Sequence, residues 1–160
     1  MTTEKHTLSC LVENHFGVLA RVAGLISARG FNIDCLSVST TEDPTISRMT
    51  IVVDADALKL EQVKRQLNRL IDVIEVRELK DGQFIDRELL LARVTGNGAG
   101  AAKAREVAAQ FGAKVTEATD QSAVIEAAGD TKTLDRLVEQ LRPLGIASLV
   151  RTGRVALERS

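Results

Sequence analysis

The stretch Leu11-Val12-Glu13-Asn14-His15-Phe16-Gly17-Val18-Leu19 decides how this chain is read, because the hydrophobic period changes inside it. Before it, Thr7 to Val12 alternates, with Leu8, Cys10 and Val12 on one face of a strand. After it, Val18, Leu19, Val22, Ala23, Leu25 and Ile26 recur at helical spacing. Asn14 to Gly17 is the turn between the two. Asn14 can satisfy a free amide or grip a ligand, Gly17 lets a backbone approach closely, and the first helical turn brings unpaired N–H groups with a positive dipole end. A turn of this kind can hold a small carboxylate. The same residues also make an ordinary Asn-and-Gly connection that caps a helix, and by themselves they leave both possibilities open.

Outward from this turn, Phe31 to Thr40 predicts a second strand, with Ile33 and Cys35 on one face and Leu36 and Val38 on the other. Thr41-Glu42-Asp43-Pro44 predicts a turn, because Pro44 cannot donate to a ladder. Ile46 to Asp54 follows as a strand, with Met49, Ile51 and Val53 facing one way and Arg48 and Thr50 the other. Ala57 to Leu70 predicts a helix on a Leu60, Val63, Leu67, Leu70 stripe, and Val73 to Leu79 a fourth strand. The order is βαββαβ, and the polar run Lys80-Asp81-Gly82-Gln83 predicts a linker. The second half repeats the succession, with strands at Glu88–Thr95, Lys114–Ala118, Ala123–Ala128 and Ile146–Arg151 and helices at Ala101–Phe111 and Lys132–Leu141. The expected fold class is therefore α+β, two tandem ferredoxin-like domains spanning 1–80 and 84–160.

Composition narrows the function. The 160 residues are 44% hydrophobic, enough to build the cores of two small domains. With 21 basic and 22 acidic side chains the net charge is -1, which gives no field to draw in nucleic acid or anionic lipid. Four Phe and no Trp or Tyr make a base-stacking platform unlikely in composition. Cys10 and Cys35 lie in apolar strands without a C-x-x-C spacing, as buried reduced thiols would. Met1 to His6 is polar and no apolar run approaches the length of a membrane span, so the expectation is a cytoplasmic protein without membrane or nucleic-acid partners.

Chemistry-bearing constellations are scarce. Gly96-Asn97-Gly98-Ala99-Gly100-Ala101 fits G-x-G-x-x-A between a strand and a helix, with Glu117 where a ribose-binding acid would stand. The turn Thr119-Asp120-Gln121 that follows leads into an antiparallel partner, whereas a dinucleotide fold needs repeated parallel crossovers. A flexible strand-to-helix connection is the better reading. His6 and His15 have no metal-ligand spacing, and His15 is expected as an exposed loop histidine. No nucleophile elbow, zinc-protease motif or P-loop is present, so neither a catalytic nor a metal site is expected.

Leu11 to Leu19, Arg29-Gly30-Phe31-Asn32-Ile33 and Asp43-Pro44-Thr45-Ile46-Ser47-Arg48-Met49-Thr50-Ile51, with Asp86-Arg87-Glu88-Leu89-Leu90-Leu91 opening the second half, resemble the small regulatory subunits of acetohydroxyacid (acetolactate) synthase. The resemblance covers essentially the whole chain, and its first half resembles an ACT domain, a module that senses amino acids. It implies a non-catalytic subunit that binds and activates a large catalytic subunit and confers feedback inhibition by valine or another branched-chain amino acid. It places thiamine diphosphate, Mg and FAD in the catalytic subunit and none of them in this chain. It also implies a homodimer with the effector between two ACT domains, on Asn14, Gly17, Val18, Leu19, Asn32 and Ile33. An apolar second strand at a sheet edge fits pairing with its twin across a twofold axis. A free-standing tandem-ACT sensor or transcriptional regulator is the alternative, but it would more naturally repeat the ligand turn in both halves.

Overall fold

A computed structural model describes residues 4–96 and 99–159. The chain forms two compact units, one built from the chain up to Ile85 together with the segment that starts at Arg154, the other from Asp86–Gly153.

The first unit comprises β1 (Glu4–Glu13), α1 (Val18–Ala28), β2 (Ile33–Thr40), β3 (Ile46–Ala55), α2 (Ala57–Leu67) and β4 (Val73–Leu79). Its sheet has the order β2-β3-β1-β4 with antiparallel neighbours, so β2 lies at an edge as expected. The alternation of β1 sends Leu8, Cys10 and Val12 into the core, where they meet Met49, Ile51 and Val53 of β3. Val18, Val22 and Ile26 of α1 and Leu60, Val63 and Leu67 of α2 cover that face. Burying each such side chain contributes about 1.5–3 kcal/mol. The surroundings of Cys10 push its thiol up to about 12 by desolvation, which leaves it an inert apolar group.

One expectation fails in β2. Ile33 pairs with Val53 but Cys35 with Val52, so a β-bulge intervenes and places the two on opposite faces. Ile33 joins Leu36 against the core. Cys35 goes to the outer face, where its sulfur accepts from the Arg154 amide at 2.9 Å.

The second unit contains β5 (Phe84–Thr95), which begins in the first, then α3 (Ala99–Gln110), β6 (Lys114–Ala118), β7 (Ser122–Gly129), α4 (Thr131–Leu141) and β8 (Ile146–Arg151). The order β6-β7-β5-β8 repeats that of the first sheet. Ala101, Ala104 and Ala108 let α3 lie close over Leu90, Ala92 and Val94, and α4 adds Leu134, Leu137, Val138 and Leu141. The expected linker is instead a tight turn, in which Gln83 donates to Lys80 O at 3.0 Å and Gly82 adopts φ 81.

A further strand, β9 (Val155–Glu158), was not foreseen; the expected second domain runs to residue 160, yet this end of the chain packs with the first unit. Arg154 donates to Thr7 Oγ1 at 2.7 Å and stacks its guanidinium 5.9 Å over the Phe84 ring. Arg77 holds Glu158 at 2.8 Å, and the Arg159 amide donates to Gln83 O at 2.8 Å. This strap explains why the hydroxyl side chains Thr7, Ser9 and Thr50, on the face of the sheet away from the helices, are buried.

Candidate functional site

The opening turn has the geometry expected of a bare helix start. Gly17 is the N-cap of α1 with φ 84, a left-handed conformation that favours glycine, and no side chain caps the helix. By contrast, Asp56 caps α2 by accepting from the Lys59 amide at 2.9 Å, and Asp130 caps α4 by accepting from the Thr133 amide at 2.8 Å. Those amides hold both carboxyls below the usual carboxylate range. In α1 the first bond back is Arg21 N to Gly17 O at 2.9 Å, so the preceding helical amides, beginning with Val18 and Leu19, have no carbonyl of this helix to bond. The Val18 side chain belongs to the core, so only its backbone is available, whereas Leu19 is half exposed.

Both asparagines are engaged through their donors. Asn14 Nδ2 donates to Pro44 O at 2.9 Å, and its backbone amide to Thr45 O at 2.7 Å, which ties the helix-opening turn to the Asp43-Pro44-Thr45 turn. Asn32 Nδ2 donates to Asp34 Oδ1 at 2.9 Å, and Asp34 also holds Lys5 at 2.9 Å. Each asparagine keeps its carbonyl oxygen as an acceptor, which suits an ammonium group, while the helix amides suit a carboxylate.

The predicted residues do not all meet within one protomer. Asn14 and Gly17 follow the end of β1, where Glu13 pairs with Ile46. Asn32 and Ile33 lie at the start of β2, where Ile33 pairs with Val53, itself opposite His6 near the start of β1. From His6 to Glu13 is about 23 Å at a rise of ~3.3 Å per residue. One chain therefore carries the two parts of the predicted set at opposite ends of its first sheet.

Two residues beside the turn, Arg21 and Asp72, were missed. Asp72, almost fully buried, accepts from Arg21 Nε at 2.7 Å and pairs with Arg21 Nη2 at 2.6 Å. His15, an exposed loop side chain as expected, has its Nε2 3.0 Å from Asp72 and 3.2 Å from Glu13. Glu13, His15 and Asp72 bring three possible metal-ligating groups together. A Cβ on Gly17 would stand 3.0 Å from Arg21 Nη1, so a guanidinium flanks the helix start and adds positive charge there. Arg21 follows Gly17 by one helical turn, a spacing visible in sequence. Asp72 is remote in the chain and had no local signal.

Gly96 and Gly100 of the glycine cluster are close-packing positions. A Cβ on Gly96 would fall 3.0 Å from Gly100 Cα and 3.1 Å from Leu144 O, so close backbone approach accounts for both glycines. Asn97 and Gly98 lie outside the described residues. The next two strands, β6 and β7, run antiparallel, as the exclusion of a dinucleotide fold requires.

Comparison with known proteins also finds two parts in the chain. Residues 8–75 match the family described as AHAS small subunit-like ACT domain, and residues 87–160 match the family described as small subunit of acetolactate synthase. The chain belongs to the acetolactate synthase small-subunit family. It is 43% identical over 159 residues to the acetolactate synthase small subunit of Mycobacterium bovis, covering 99% of this chain and 95% of that one. With the small subunit of Aquifex aeolicus it shares 40% over 156 residues, 97% of this chain and 81% of that one. The crystal structure of the Thermotoga maritima small subunit superposes with a TM-score of 0.88 at 29% identity, over 98% of both chains. Among the described residues no helix of this family member is long and apolar enough to cross a membrane.

Proposed function

We propose that this chain is the regulatory subunit that activates a catalytic acetolactate synthase subunit and makes it sensitive to valine or a related branched-chain amino acid. The observation that carries this reading is an uncapped helix start at Gly17 combined with the division of the effector set between opposite ends of one sheet. Antiparallel pairing of β2 with the β2 of a second copy sets the start of one strand beside the end of the other. Asn32 and Ile33 of one protomer then approach Asn14, Gly17, Val18 and Leu19 of its partner, and two equivalent sites result. The helix amides, flanked by Arg21, receive the carboxylate; the asparagine oxygens receive the ammonium; Leu19 and Ile33 contact the branched side chain. Thiamine diphosphate, Mg and FAD belong to the large subunit in this proposal, and the chain itself performs no chemistry.

Acetolactate formation by the purified catalytic subunit, with and without this chain and valine, tests the proposal. Turnover is expected to rise on adding the chain, and valine inhibition to appear only in its presence. Unchanged turnover and unchanged valine response at saturating small subunit would reject it.

A further inference from the structure

The strap that crosses the outer face of the first sheet leaves a cavity of about 310 Å³ beside it. Ser37 and Ser39 of β2 and Arg48 and Thr50 of β3 line this cavity, Val155 and Leu157 of the strap form its apolar wall, and Glu42 stands in the turn between β2 and β3. Cavities that hold small organic ligands begin at about this volume.

Its charges are unusual for this molecule. The half-buried Arg151 is held by the carboxylates of Glu88 and Asp135, but Arg48, also half-buried, donates only to the Ser9 hydroxyl at 3.0 Å and meets no carboxylate among the described residues. The carboxylates on the far side of the strap, Glu75 and Glu158, are already held by Arg77 at 2.7 and 2.8 Å. In the turn itself Asp43 is engaged, accepting from the Thr45 amide at 2.8 Å and the Thr45 hydroxyl at 2.6 Å. Glu42 is left with no partner among the described residues. Among the described residues, an arginine and a glutamate without a partner of opposite charge therefore line one small cavity together with hydroxyls and an aliphatic wall.

We infer that this cavity is a second small-molecule site, separate from the helix-start site, for a zwitterionic α-amino acid with an aliphatic side chain. The carboxylate sits on the Arg48 guanidinium and nearby hydroxyls, the ammonium on Glu42, and the side chain against Val155 and Leu157. A simple anion would meet Glu42 unpaired, and a simple amine would meet Arg48, so recognition requires both ends of the ligand.

Equilibrium dialysis of the full chain with labelled L-valine counts the sites. The wild type is expected to bind two per chain and Gly17→Asp one. Adding Glu42→Gln, an exposed turn substitution that leaves the core untouched, weakens the remaining site by at least about tenfold, and Arg48→Gln does the same. Isovalerate and isobutylamine, each lacking one charged end, do not displace valine from this site. If Gly17→Asp abolishes all binding, or the site it leaves is indifferent to Glu42→Gln, the inference is wrong and the helix-start reading stands. If the wild type binds a single valine that survives Gly17→Asp and is lost with Glu42→Gln, the cavity is upheld and the helix-start reading falls.

Discussion

The two units share an order of elements yet treat their sheet edges oppositely. The first exposes β2, whose eight residues carry one charge, at Asp34 near its start, whereas the second exposes β6, whose Lys114-Val115-Thr116-Glu117-Ala118 brings a charge at two of its five positions. Charged side chains discourage strand addition and an uncharged edge permits it. Their outer faces differ in the same spirit. The first is lined with hydroxyls under the strap, while the second shows Leu89, Leu91 and Val150 partly exposed. Within the first unit the helix starts differ as well, with a bare glycine at α1 and at α2 an aspartate cap like that of α4. One topology has thus been given a receiving surface in the first copy and a closed edge in the second, by side chains that leave the backbone course alone.

The sharpest way to break the comparison is to close the bare helix start. Gly17→Asp puts a carboxylate where the ligand's must lie, beside Arg21, so the helix start acquires an internal anion. Valine affinity at this site is expected to fall at least about a hundredfold, or ~2.8 kcal/mol. Titration calorimetry and inhibition curves on the reconstituted complex measure it, and activation should persist.

Removing the strap by ending the chain at Gly153 deprives the first sheet of the Arg154, Glu158 and Arg159 bonds and uncovers Thr7, Ser9 and Thr50. At about 0.5–1.5 kcal/mol per hydrogen bond, the first unit should lose roughly 2 kcal/mol. Hydrogen exchange should show the loss in β1, β3 and the part of β5 that β9 pairs with, and not in β6 to β8. Equal loss in both sheets would mean that the strap does not serve the first unit alone.

A charge on the permissive edge makes it resemble β6. Val38→Lys should raise the dimer dissociation constant about tenfold, ~1.4 kcal/mol, as sedimentation would show. The same change at Val115, on an edge already charged, should leave assembly unaltered.

The smallest expected effect is at the capped helix. Asp130→Ala should cost about 1 kcal/mol at neutral pH. Hydrogen bonds from the Thr133 amide and hydroxyl lower the Asp130 pKa in the folded state. The wild-type advantage is therefore complete above the unfolded value near ~4 and disappears as pH falls through the folded value. Denaturation of both proteins at pH 7 and pH 3 checks the sign.

Much of this was legible along the chain because each unit changes period cleanly at its turns: Leu8, Cys10 and Val12 go inward as their alternation requires, and the Leu60, Val63, Leu67 stripe turns to the core. What escaped depended on partners distant in sequence. The bulge between Ile33 and Cys35 is set by pairing with β3, and nothing local marks the switch of faces. Asp72 looks like any loop acid until folding delivers it to Arg21 and His15. Val155 to Glu158 is too short to show a period, and it acquires strand geometry only by pairing with β5. Asn14, Gly17, Val18 and Leu19 were recognisable as a turn, but the distance of Asn32 and Ile33 from them is a property of strand register that no motif displays.

The strap also orders events in time. Because Arg154 and β9 belong to the first unit and follow the whole of Asp86–Gly153, the first sheet cannot cover its hydroxyl face until the ribosome has finished the second unit. At about 5–20 residues per second this interval is on the order of ten seconds. Throughout it the nascent chain carries a first unit whose hydroxyl face is still uncovered.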